Sequence, residues 1–154
     1  MYQNIVFDLY GTLLDIRTNE GKYYLWKKMS EIYSAYGAVY TPMELKRTFR
    51  LLEKRLVTGL SCDGEPDLRL VFAGLFEERG VSYDAQLVRS MAVTFRALSR
   101  NKLCVYEHVH ETLQKLRDCG KRVYLLSNAQ ADFTRPEIAM TGLEEGQGFA
   151  AGVL

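Results

Sequence analysis

Apolar and polar residues change rhythm twice along this chain. Near the start, Ile5-Val6-Phe7 is an unbroken apolar run that ends on Asp8. Such a run fits a strand buried on both faces, as in a parallel sheet. Gly11-Thr12 then supplies a turn. From about Thr18 to Arg100 the apolar residues recur at helical spacing. Leu25, Met29, Ile32, Tyr33 and Tyr36 form one face. Thr41-Pro42-Met43-Glu44 reads as a helix start: a threonine cap, proline in the first position and a glutamate placed to close a capping box. Leu45, Phe49, Leu52 and Leu56 continue that helix, and residues 58–66 (TGLSCDGEP) read as a loop. A third helix runs to Arg79 and stops at Gly80. A fourth starts at Asp84, with Leu87, Met91, Phe95 and Leu98 on one side. After Arg100 the rhythm changes again. A helix is expected from about Glu107 to Asp118, carrying Val109, Leu113 and Leu116, and Val123–Leu126 is a second buried-strand run that ends in Ser127-Asn128. No repeat, low-complexity tract or heptad pattern interrupts this order.

Composition narrows the class. The 154 residues are 47% hydrophobic and 25% charged, which reads as a soluble globular chain with enough length for a real core. A net charge of +1 leaves no footprint for nucleic acid. No apolar run is long enough to span a bilayer, so no membrane partner is expected. The N-terminus lacks the basic n-region and the cleavage site of a signal peptide, so none is expected. Cys62, Cys104 and Cys119 are scattered and form no CxxC, which fits a reducing cytoplasm.

The two strand ends carry the candidate chemistry. In open parallel α/β sheets, ligands bind beyond the carboxyl ends of the strands. Asp8 and Ser127 both stand at such ends, and adjacent parallel strands bring them together. An exposed carboxylate there can act as a nucleophile, while a hydroxyl and backbone N–H groups hold an anion before it. Gly11 lets the chain turn sharply beside the substrate. The plainer alternative is that Asp8 caps a turn and Ser127-Asn128 opens a loop.

FDLYGTLLD closely resembles the first motif of the haloacid dehalogenase superfamily, and VYLLSNAQ resembles its second. The helical block between them resembles that superfamily's mobile cap. The resemblance implies an α/β fold: a Rossmann-like parallel sheet core from residues 1–15 and 101–154, incomplete at its C-terminal end, with a helical cap inserted over 16–100. It also implies that Asp8 forms a covalent aspartyl intermediate that water hydrolyses. Ser127 and Asn128 would bind the substrate's anionic group, and Gly11 and Thr12 would form and brace the turn. In the phosphatase branch, Mg2+ would be held by Asp8 and the backbone carbonyl of Tyr10.

Two features depart from the family pattern. Most of its phosphatases place a second aspartate at position 10 as general acid and base. A tyrosine, with an ordinary pKa near 10, is a poor proton shuttle at neutral pH. Dehalogenases of the family carry D-x-Y-G-T there, which keeps a metal-independent 2-haloacid dehalogenase as the alternative. Those enzymes also use an arginine from the start of the cap, and residues 21–42 contain none. Mg2+-assisted hydrolysis of small phosphate monoesters therefore leads. The second departure is that no lysine follows Ser127, and Glu144-Glu145, which reads as a solvated helix end, does not follow an apolar strand. The chain is accordingly expected to be weakly active or inactive alone. A third reading is a non-catalytic binding module or partner-dependent fragment, with self-association covering apolar core surface.

Other features read as structure. His108 and His110 fall on different faces of a helix, unlike metal ligands. Lys46, Arg50 and Lys54 form a basic stripe of the kind usual on a solvated face. Tyr23, Tyr24, Trp26, Tyr33, Tyr36 and Tyr40 read mainly as packing. The lone GQG lacks the strand and helix context of a phosphate loop.

Overall fold

The computed structural model describes residues 2–59 and 66–144. Cys62, Glu145 and the GQG segment lie outside the described residues. The elements in chain order are β1 (Asn4–Phe7), β2 (Leu14–Thr18), α1 (Tyr23–Ala35), α2 (Pro42–Gly59), α3 (Leu68–Glu77), α4 (Ala85–Ser99), β3 (Arg100–Val105), α5 (Val109–Asp118), β4 (Arg122–Leu125) and α6 (Ala131–Met140). They divide into two compact units, Asn19–Ser99 and the pair of segments Met1–Thr18 and Arg100–Leu154.

The Asn19–Ser99 unit is helical and closes on aromatic rings. Phe49 packs on Trp26, Phe72 and Phe95 with ring centroids 5.3, 5.6 and 5.1 Å away. Tyr33 packs on Phe76 at 4.6 Å. Full burial of each such ring stabilises the unit by roughly 1.5–3 kcal/mol. Tyr33 and Tyr40 bury their rings and still satisfy their hydroxyls, which donate to the Phe72 and Leu75 carbonyls at 3.0 and 2.7 Å. The expected capping box forms: Thr41 N–H donates to Glu44 Oε2 at 2.8 Å, and Glu44 N–H donates to Thr41 Oγ1 at 3.3 Å. Asp84 caps α4 through the Leu87 N–H at 2.7 Å. Tyr23, Tyr24 and Tyr36 are exposed, whereas Trp26, Tyr33 and Tyr40 are buried. Arg50, centre of the basic stripe, is paired with Glu20 and Glu53, both at 2.8 Å.

The other unit is α/β. β1 and β4 pair in parallel, from Asn4 opposite Arg122 to Phe7 opposite Leu125; the two expected strands form, but they are not buried on both faces, and no residue of β1 is fully buried. Val123, Leu125, Val109, Leu113, Ile138 and Leu143 pack with Leu9, Leu13 and Leu14 into one cluster. The opposite face of the pair is open, with Val6 57% and Leu126 51% exposed.

Several expectations need correction. Thr18 begins no helix. Leu14–Thr18 pairs antiparallel with Arg100–Val105, so both ends of the helical stretch run into strands. Lys102 donates to Asp15 across this pair, and that bond holds the Asp15 carboxyl below the usual range. Thr58 and Gly59 belong to α2 rather than a loop. His108 precedes its helix: it is the N-cap of α5, in a left-handed conformation with φ 63°. Glu144 is exposed but lies past the end of α6, not on it.

Candidate active site

The register of β1 and β4 positions the site. Past the last strand pair, the Leu126 N–H donates to the Phe7 carbonyl at 2.9 Å. Asp8 and Ser127 thus leave the same end of two neighbouring strands.

A tight turn follows Asp8. The Leu9 carbonyl accepts from the N–H groups of Leu13 at 2.8 Å and Leu14 at 2.9 Å, and the Gly11 N–H returns to the Leu14 carbonyl at 2.9 Å. Gly11 sits at φ +79° with no atom within 4 Å of a hypothetical Cβ, so backbone conformation and not crowding calls for glycine. Leu9, Leu13 and Leu14 are buried and anchor the turn, while Asp8, Gly11 and Thr12 are exposed. The Thr12 hydroxyl donates to Asp8 Oδ2 at 3.4 Å. Thr12 therefore braces the carboxylate without removing it from solvent.

The second strand end is a loop into α6. Ser127 is 9% exposed and Asn128 is exposed. The Ser127 Oγ accepts from the Ala129 N–H at 3.3 Å, a bond that uses a lone pair and leaves the hydroxyl hydrogen to donate. Gln130 is the N-cap of α6, and its carbonyl accepts from the Phe133 and Thr134 N–H groups at 2.9 and 3.0 Å. A helix N-terminus favours negative charge nearby.

Two residues that the sequence did not mark as site candidates, Glu137 and Arg100, lie in the same unit. Glu137 of α6 is 1% exposed. It accepts from the Tyr10 hydroxyl, and Arg100 Nη1 donates to its Oε1 at 3.2 Å. A buried carboxylate is tolerable only when paired in this way. Its sequence signal is faint, because Glu137 lies 127 residues from Tyr10 and 37 from Arg100.

The oxygen donors suited to a hard cation here are the Asp8 carboxylate and the Tyr10 carbonyl. Among the described residues no group of three or more His, Cys, Asp or Glu could hold a metal ion. His108 and His110 belong to no such group. A groove along α4 lined by Ala85, Gln86, Arg89, Ser90, Val93 and Thr94 contains none of the expected site residues. No helix among the described residues is long and apolar enough to cross a membrane.

No curated protein matches the chain. Among solved structures, the L-2-haloacid dehalogenase of Xanthobacter autotrophicus with chloropropionic acid covalently bound is 20% identical; the match covers 99% of this chain and 56% of that one, with a TM-score of 0.43. A haloacid dehalogenase (HAD) family enzyme from Bacteroides thetaiotaomicron, in complex with magnesium and inorganic phosphate, is 19% identical over 99% of this chain and 68% of that one, with a TM-score of 0.47. The chain thus spans little more than half the length of the dehalogenase. The family model described as hydrolase, haloacid dehalogenase-like hydrolase, matches residues 2–149, and the chain belongs to that family.

Proposed function

We propose that this family member hydrolyses small phosphate monoesters, with Asp8 as the nucleophile. The observation that supports the proposal is the parallel pairing of β1 and β4, after which Asp8 and Ser127 follow the same end of two neighbouring strands. An Asp8 oxygen attacks phosphorus, and the bond from phosphorus to the ester oxygen breaks. The departing alkoxide takes a proton from water. Water then attacks the phosphorus of the aspartyl phosphate, which releases inorganic phosphate and restores the Asp8 carboxylate. Ser127 donates to a phosphate oxygen, Asn128 shapes the same pocket, and Gly11 and Thr12 keep the turn in form. Asp8 and the Tyr10 carbonyl would hold Mg2+, which when bound offsets repulsion between the nucleophile and the phosphate. Cys104 and Cys119 are free thiols, in keeping with work in a reducing cytoplasm.

Tyr10 favours a second reading, a metal-independent 2-haloacid dehalogenase. Its hydroxyl is committed to Glu137, and halide leaves carbon without needing a proton. One assay separates the two: a panel of phosphomonoesters and 2-haloacids, with and without EDTA, on wild type and Asp8→Asn. The leading reading requires phosphate release that EDTA removes and that Asp8→Asn lowers by roughly a thousandfold or more. EDTA-insensitive halide release establishes the alternative, and phosphate release unchanged in Asp8→Asn ends the proposal. The exposed Val6 and Leu126 support self-association through that sheet face. A strictly monomeric chain at high concentration counts against it.

A further inference from the structure

We infer that Glu137 is a positioning residue for the nucleophile, acting through Tyr10; the inference rests on Asp8 being that nucleophile. Three separate stretches of the α/β unit meet at its carboxylate. Tyr10 belongs to the turn that follows Asp8 and donates its hydroxyl to Oε2. Arg100, first residue of β3, donates to Oε1 at 3.2 Å and also reaches the Met140 sulfur at 3.6 Å. Glu137 itself is on α6, which follows the Ser127–Gln130 loop.

Burial gives this arrangement its stiffness. The Glu137 side chain is 1% exposed and that of Arg100 17%, so water cannot replace a lost partner. A hydrogen bond to a buried charge is stronger than one between neutral groups. Tyr10 is two residues from Asp8, and the Leu9 and Leu13–Leu14 anchors of its turn belong to the cluster against which Tyr10 packs. Fixing the phenol therefore fixes the turn, and with it the approach of Asp8 toward the strand end that carries Ser127. The tyrosine at position 10 holds the loop in place.

The test uses Tyr10→Phe, which removes one oxygen and leaves the Glu137–Arg100 pair intact, with Glu137→Gln as the second variant. Backbone hydrogen exchange is read at Leu13 and Leu14, whose N–H groups bond to the Leu9 carbonyl, and at Leu126, whose N–H bonds to Phe7 in the sheet. Tyr10→Phe should speed exchange at Leu13 and Leu14 by roughly tenfold or more and leave Leu126 nearly unchanged. On a phosphomonoester that the wild type turns over, kcat should fall by roughly tenfold with KM nearly constant. Equal acceleration at all three amides, or none at Leu13 and Leu14, overturns the inference and shows general support or no support. A fall in kcat/KM through KM alone overturns it too. A wild type without phosphatase activity defeats the proposed function, and the exchange contrast still decides whether Glu137 holds the turn.

Discussion

The helical unit buries rings, and the α/β unit buries polar groups of consequence. In Asn19–Ser99 the interior is Trp26, Phe49, Phe72, Phe76 and Phe95. Among its described residues the buried serines, Ser30 and Ser99, bond to carbonyls of their own helices, those of Lys27 and Arg96. Among the described residues of the α/β unit the buried polar ones are Ser127, Thr134 and Glu137. Glu137 joins distant parts of the chain, and Ser127 follows the same strand end as Asp8 on the neighbouring strand. The sheet also leaves a face open at Val6 and Leu126. One unit devotes its residues to packing. The other devotes several to geometry that packing alone does not require, as expected of a site.

Substitutions should respect that division. Phe49→Ala removes the ring at the centre of the aromatic cluster and should cost about 3–5 kcal/mol in urea unfolding. A loss below about 1 kcal/mol would show that the cluster is not the interior of the unit. Ser127→Ala should lower kcat/KM for a phosphomonoester by roughly 10–100-fold, the worth of a hydrogen bond to a charged group. Its unfolding free energy should move by only about 1 kcal/mol. A large stability loss with unaltered kinetics would erase the contrast between the units.

Smaller effects sharpen the comparison. Burial holds the Tyr33 phenol well above its ordinary pKa. With the folded value raised, the unfolded chain loses its proton first as the solution becomes alkaline. The stabilising contribution is present below about pH 10 and is lost above it. Between about pH 9 and pH 11 the wild type should lose about 1.4 kcal/mol more than Tyr33→Phe. Matching pH profiles would mean that the phenol is not buried in solution. Thr41→Ala opens the capping box of α2 and should cost about 1 kcal/mol, read by thermal unfolding, with phosphate release unchanged.

What the sequence revealed follows from how local each signal was. The Thr41–Glu44 box closes within four residues, and the apolar runs of β1 and β4 are continuous, so both were readable. The Asp8 turn was readable because Gly11 meets a conformational need that few other residues meet. β2 was hidden although Leu14-Asp15-Ile16-Arg17 alternates, because the stretch adjoins a strong turn motif and a long helical pattern. β3 opens with Arg100-Asn101-Lys102, which masks the apolar positions at Leu103 and Val105. α6 carries Pro136 inside it and buries Thr134 and Glu137, so no apolar stripe marks it. Glu137 is the clearest case. A carboxylate is buried only when partners exist, and its partners come from β3 and from the turn after β1.

The central claim is that Asp8 attacks the substrate. The most direct measurement is a mass map of the wild-type chain quenched with acid during turnover of a phosphomonoester with Mg2+. Trypsin releases Met1–Arg17 as one peptide, since Arg17 is its first basic residue. A phosphoryl adduct is expected on that peptide, localised to Asp8 and absent from Asp8→Asn. Turnover with Asp8 unmodified, or an adduct on another residue, would contradict it.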